Sequence, residues 1–174
     1  MAALHADTGG GILPFSVKER TMSDAAVPPA SPSSNGPVTP ERLGAVLEAS
    51  RLSYKEDGRG NFIGVFAANA DVPFDTYFSI AMHGDNGDIL SLRMFSAQVV
   101  PPEARVRATM AANKFNSDMR WPKTYISEED DPRLVGEEQL DTEHGVSDEF
   151  LVQFLRSSLG HGWTMFKTLH AACF

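Results

Sequence analysis

Residues 99–126, VVPPEARVRATMAANKFNSDMRWPKTYI, read as the end of one strand, a proline-started helix and the start of another strand, and this order decides the fold. Pro101-Pro102 stops the extended stretch, because proline offers a sheet no amide hydrogen and suits the first turn of a helix. Glu103 follows at the end of the helix dipole that favours an acid. At about 100° per residue, Ala104, Ala108, Ala111, Ala112, Phe115 and Met119 gather on one side. Val106 and Met110 fall on the opposite side, together with Asn113 and Ser117. Trp121-Pro122 closes the helix, since the residue before a proline is driven out of the α region. Residues 123–127 then return to an extended conformation.

Upstream, three runs have the composition of strands. Residues 62–67 are rich in β-formers. Phe74, Thr76, Phe78, Ile80 and Met82 alternate with Asp75, Tyr77, Ser79 and Ala81, and Leu90, Leu92 and Met94 alternate with Ser91, Arg93 and Phe95. Period-2 alternation predicts half-buried strands. Asp85-Asn86-Gly87-Asp88 joins the last two through Asn-Gly, the strongest local signal for a hairpin, so the three form an antiparallel meander. Before them, Thr39 can cap a helix that has Pro40 at its first position and Glu41 in its first turn, with Leu43, Val46 and Leu47 on one face. Residues 52–55 then turn extended, and Asp57-Gly58-Arg59-Gly60-Asn61 makes a turn.

Downstream, Glu128-Glu129-Asp130-Asp131-Pro132 makes a charged turn into a partner strand over residues 133–140. Ser147 caps a closing helix, with Val146 and Leu151 spaced as a hydrophobic staple. Leu151, Phe154, Leu155, Leu159, Met165, Phe166, Leu169 and Cys173 share its apolar arc, and Gly162 on that arc predicts a close approach of backbones. The order α-β-β-β-α-β-β-α predicts an α+β domain, an antiparallel sheet with helices packed on one side.

Residues 1–37 are dominated by Gly, Ala, Ser and Pro and read as a disordered tail, with residues 38–174 as the domain. Met22, opening MSDAAVPPASP, is an alternative start, which would place residues 1–21 in an over-long reading of the gene.

The chain has 174 residues, 42% of them hydrophobic, and a formal net charge of −8. That length supports one domain with a real core. The negative charge, with no basic cluster longer than two residues, argues against nucleic acid and against an anionic membrane surface. A single cysteine, Cys173, forms no internal disulfide, which favours the cytoplasm. No apolar run approaches the roughly 20 residues of a membrane span, and no export signal opens the chain.

Candidate chemistry is sparse. The acidic residues Glu128, Glu129, Asp130, Asp131, Glu137, Glu138, Asp141 and Glu143 lack the spacing of a calcium loop and read as a solvated hairpin. Asp85, Asn86 and Asp88 read as turn chemistry. Gly58-Arg59-Gly60 precedes a strand and not a helix, so it is no phosphate loop. His5, His83, His144, His161 and His170 include no pair at the spacing that puts two imidazoles on one helical face for zinc. No serine sits in a nucleophile elbow, and Cys173 lies on an apolar arc, where a buried thiol is expected. Trp121, between Arg120 and Lys123, is expected to plug the seam between helix and sheet. No cofactor, metal or catalytic set is expected.

The opening TPERLGAVLEASRLSYKED, the meander, and then Asn113, Phe115, Asn116, Trp121, Pro122 and Tyr125 ahead of a paired strand and a terminal amphipathic helix resemble the YbjN family over residues 38–174. The resemblance implies a bacterial sensory transduction regulator whose fold is similar to the chaperones of type III secretion, small acidic dimers that bind unstructured stretches of client proteins. It implies an interaction module and supplies no catalytic residues. Gly160-His161-Gly162, set against the family pattern, is expected to loosen the middle of the last helix.

Two functions follow as expectations. The first is a cytoplasmic, non-enzymatic protein that binds a partner or client, or forms a homodimer, through Val106, Met110, Asn113 and Ser117. The second is a ligand-sensing or enzymatic domain with a pocket between sheet and terminal helix near Trp121, Tyr125, His161 and Trp163.

Overall fold

A computed structural model of the chain describes residues 35–174. The expected tail and the alternative start at Met22 lie outside the described residues, except for positions 35–37. Of these, Gly36 forms a bridge to Val146, and Val38 just beyond is already buried in the core.

Helix α1 (Pro40–Ala49) starts as its sequence dictates: the Thr39 side chain accepts a hydrogen bond from the Arg42 amide, with Pro40 in the first turn and Glu41 beside the dipole. Strand β1 (Lys55–Glu56) is a two-residue addition to the five strands expected. The Asp57 carboxylate turns the chain there by accepting the amides of Arg59 and Asn61. Strands β2 (Phe62–Phe66), β3 (Thr76–His83) and β4 (Ile89–Ser96) form the meander, and Gly84 and Gly87 adopt the positive φ that the β3–β4 turn requires. A single 3-10 turn (Pro102–Ala104) leads into α2 (Arg105–Asp118), then β5 (Lys123–Ile126), β6 (Leu134–Asp141) and α3 (Asp148–Cys173).

The sheet order is β1-β2-β3-β4-β6-β5, antiparallel throughout, so β6 inserts beside β4 and leaves β5 at the edge. Phe78 lies opposite Met94, Ile80 opposite Leu92, and Met94 opposite Gly136 on the next strand, so one face of the sheet carries the core. Phe62, Phe78, Ile80, Leu92 and Met94 are buried there against Leu151, Leu155, Met165 and Phe166. Two glycines set the distance between layers. A Cβ on Gly162 would collide with the Met94 sulfur, and one on Gly136 would come within 2.8 Å of both Met165 and Pro122. The Gly160-His161-Gly162 stretch does not interrupt α3, which stays helical over all 26 residues. Glycine inside a helix costs roughly 1 kcal/mol relative to alanine, but at position 162 the approach of Met94 from β4 leaves no room for a Cβ.

Arg42 fastens the start of the fold to α3. Its guanidinium donates to the carbonyls of Gly36 and Val146 at 2.7 and 2.6 Å and pairs with Asp148 at 2.7 Å.

Candidate functional site

The acidic residues of β6 depart most from the sequence reading. Glu128 to Asp131 are exposed, as a solvated turn requires, but Glu137 and Glu138 are buried, at 9% and 6% exposure. Alternation of side chains along a strand sends these neighbours to opposite faces of the sheet. The signal was present: two glutamates in a strand flanked by Leu134, Val135 and Leu140 must put one carboxylate toward the core.

Glu138 faces α3. One of its oxygens accepts the Ser158 hydroxyl at 2.9 Å, and the other meets His161 Nδ1 at 2.8 Å. Ser158 is buried, while the His161 ring reaches solvent. The carboxylate fixes the imidazole by one nitrogen and leaves Nε2 turned away from it.

Glu137 faces the opposite way. Its Oε2 accepts Tyr125 Oη at 2.9 Å and pairs with Arg93 Nε at 3.1 Å, while its Oε1 accepts Gln139 at 2.8 Å and Ser91 at 3.4 Å. Burial alone would raise its pKa, but the hydrogen bonds from Tyr125, Gln139 and Arg93 and the guanidinium charge together hold it below the ordinary carboxylate value. Burial, followed by the bond to Glu137 and its charge, pushes the Tyr125 phenol up to about 12. With both oxygens taken, Glu137 has little capacity left to act on a substrate.

The residues singled out from sequence separate into four places. Val106, Met110, Asn113 and Ser117 form an exposed stripe along α2, with Val106 at 73% and Met110 at 68% exposure. Ala104, Ala108, Ala112 and Phe115 are buried on its other side, but Met119 lies beyond the last turn and is exposed. Trp121 does not plug a seam: it is 45% exposed next to a cis bond to Pro122, and Pro122 takes the interior position beside Gly136. Trp121, Tyr125, His161 and Trp163 line no common pocket. Tyr125 pairs in register with Val135 and belongs to the Glu137 face, whereas Trp163 packs edge-on against Phe66, and His161 meets Glu138, both on the α3 side. What exists on that side is an open cleft of about 440 Å³ lined by Phe66, Met94, Leu159, Gly160 and Trp163, with Asn69 among its few polar groups.

Asn116 has a role that sequence reading did not assign. Its amide oxygen accepts the Thr124 backbone N–H and its amide nitrogen donates to the Thr124 carbonyl, both at 2.8 Å, so it stands in for a further strand on the free edge of β5. Cys173 is buried, and burial raises its thiol to about 11, partly opposed by the Arg107 charge. Among the described residues no three His, Cys, Asp or Glu side chains are grouped to hold a metal ion, and no helix is long and apolar enough to cross a membrane.

A sequence profile of the family described as "YbjN: putative bacterial sensory transduction regulator" matches residues 39–171. The chain is also similar in structure to the crystal structure of YbjN, "a putative transcription regulator from E. coli". The match has a TM-score of 0.64 at 20% sequence identity and covers 78% of this chain and 96% of that one. No curated protein matches the chain.

Proposed function

The chain belongs to the YbjN family, and on that premise we propose that it is a regulator-like protein that works by binding another protein and not by catalysis. The observation that carries this reading is the stripe on α2. A helix that buries one side completely presents Val106 and Met110 to solvent on the other, two large apolar side chains one turn apart. Single exposed apolar residues are ordinary, but a pair in one stripe with Asn113 and Ser117 offers a small apolar centre with a polar rim, the composition of a protein interface. The polar clusters support the same reading, because Glu137 spends its oxygens on four donors and Cys173 holds its proton in the core.

In this proposal the protein acts in the cytoplasm, and the stripe meets either a client or a second copy. Light scattering of the wild type against Val106→Asp and Met110→Asp separates the two. Loss of a dimer mass on substitution assigns the stripe to self-association. An unchanged mass, with a captured protein lost on Val106→Asp, assigns it to a client. Unchanged mass and unchanged capture defeat the proposal.

A second reading rests on the cleft at Phe66 and Trp163, whose size lies within the range of small-molecule sites. A compound present at 100 times its dissociation constant should raise stability by about 2.7 kcal/mol. Thermal shift against a metabolite panel tests it, and Trp163→Ala should abolish any shift.

A further inference from the structure

The helices cover one face of the sheet; on the other, Val65, Arg93 and Lys123 are exposed and Tyr77, Ser79, Phe95 and Tyr125 are half-buried, while Ser91, Val135 and Glu137 are buried between their neighbours. The register brings two rows of side chains across that open face. Val65 lies opposite Tyr77, Tyr77 opposite Phe95, Phe95 opposite Val135 and Val135 opposite Tyr125, an apolar and aromatic line crossing five strands. Tyr77 and Phe95 stack within it, ring centroids 5.4 Å apart, and Val65 at its end is 53% exposed. Two residues along the strands runs the second row, in which Lys55, Ile63, Ser79, Arg93, Glu137 and Lys123 stand side by side. It holds three cations against one carboxylate, and that carboxylate is already saturated. Asp141, the other acid on this face of β6, stands two rows further on. A chain of net charge −8 therefore turns a locally positive strip toward solvent beside its aromatic line.

We propose that this open face is a docking surface for an amphipathic helix of a partner protein, apolar along one side and acidic along one flank. Charge complementarity selects the flank, since Glu137 is paired with Arg93 and leaves Lys55 and Lys123 with no carboxylate in their row. A second copy would bring the same cations against these and is disfavoured, as like charges across an interface are. Nucleic acid would meet three cations and the repulsion of the whole molecule. The face also selects a helix over an extended strand. Backbone groups of a strand laid on a sheet face find no partners, and the β5 edge where a strand could add is occupied by Asn116 at Thr124. A helix satisfies its backbone internally. The dimensions agree: five strands span about 19 Å at about 4.8 Å each, the length of roughly 13 helical residues, and the rows lie about 6.7 Å apart, within one helix width.

The surface is distinct from the α2 stripe, so the two proposals fail separately. The test titrates the full chain into two labelled synthetic helices of about 16 residues that share a leucine stripe and differ in carrying glutamate or lysine on one flank. The glutamate peptide should bind about tenfold more tightly than the lysine peptide, with the preference fading at high salt. Phe95→Ser should weaken binding of the glutamate peptide while Phe95→Tyr retains it, and the double variant Lys55→Glu, Lys123→Glu should reverse the preference. Val106→Asp should leave both unchanged. Circular dichroism melting confirms that each variant is folded, and the charge-reversed double variant, altered only at exposed positions, carries the test should Phe95→Ser unfold. Equal binding of the two peptides, no binding of either, or a preference that survives charge reversal overturns the proposal. So does tighter binding of a single-stranded oligothymidylate, or a wild-type dimer that Phe95→Ser converts to monomer.

Discussion

Glu137 and Glu138 are adjacent in β6, yet each belongs to a different protein environment, and so do the two faces of the sheet they occupy. On the α3 side, Phe78, Ile80, Leu92 and Met94 are buried to completion, helix and sheet approach until only glycine fits at positions 136 and 162, and the one carboxylate is held by Ser158 and His161. On the open side, Val65, Tyr77 and Phe95 remain partly wet, and the carboxylate is gripped by side chains of the sheet itself. The first face derives its stability from exclusion of water and therefore tolerates no change of volume. The second combines a polar network around Glu137 with an apolar row of which Val65, Tyr77 and Phe95 still reach solvent.

The largest expected effect breaks this contrast at its strongest point. Phe78→Ala on the covered face should cost about 3–5 kcal/mol in urea denaturation, the range for emptying a buried aromatic site. Val65→Ala, one strand away on the open face, should stay within about 0.5 kcal/mol. Similar costs for the two would mean that the open face is packed after all. Intermediate in size is a pair two residues apart on α3. Gly162→Ala forces a methyl into Met94, and overpacking of this kind costs about 1–3 kcal/mol. Gly160 has no atom within 4 Å of its missing Cβ, so Gly160→Ala should stabilise by about 1 kcal/mol through helix propensity alone. Opposite signs from one substitution in one helix locate the close approach, and the same sign for both would remove it.

Much of this architecture was legible in the sequence, for identifiable reasons. Caps at Thr39 and Ser147, the Asn86-Gly87 turn and the alternation in β3 and β4 are local signals, and local signals survive folding. Exposure of Val106 and Met110 followed from helical geometry in the same way. What failed was reading across elements. The two-residue β1 exists only because β2 offers it an edge, and Asn116 acquires its role only once β5 lies beside α2. Composition made Glu137 and Glu138 look like surface, although strand period required one of them to face inward. Trp121, Tyr125, His161 and Trp163 are all aromatic and near in the expected layout, but the parity of β5 sends Tyr125 to the face away from α3.

The smallest effect concerns that tyrosine, and it sharpens the contrast by pH. Glu137 is held below its ordinary value of 4.5, so its contribution to stability is fully present above that pH and is lost as pH falls through the folded-state value. Tyr125, raised from 10.0 to about 12, works in the other direction: its contribution is complete below pH 10 and declines as pH rises toward 12. Tyr125→Phe removes one donor from Glu137 and one ionising group. At neutral pH it should cost about 1.5 kcal/mol, the lower end for a hydrogen bond to a charged group, because the phenol is only half-buried. The acid limb of the stability profile should move to higher pH, because Glu137 loses the phenol donor that stabilises its charged form, and the alkaline limb between pH 10 and 12 should flatten. Ultraviolet titration of the wild type should show a late-ionising tyrosine that the variant lacks. Acid and alkaline limbs both unmoved would mean that the carboxylate on the open face is held by Arg93 and Gln139 without the phenol, and that the sheet's open side owes its order to charge alone.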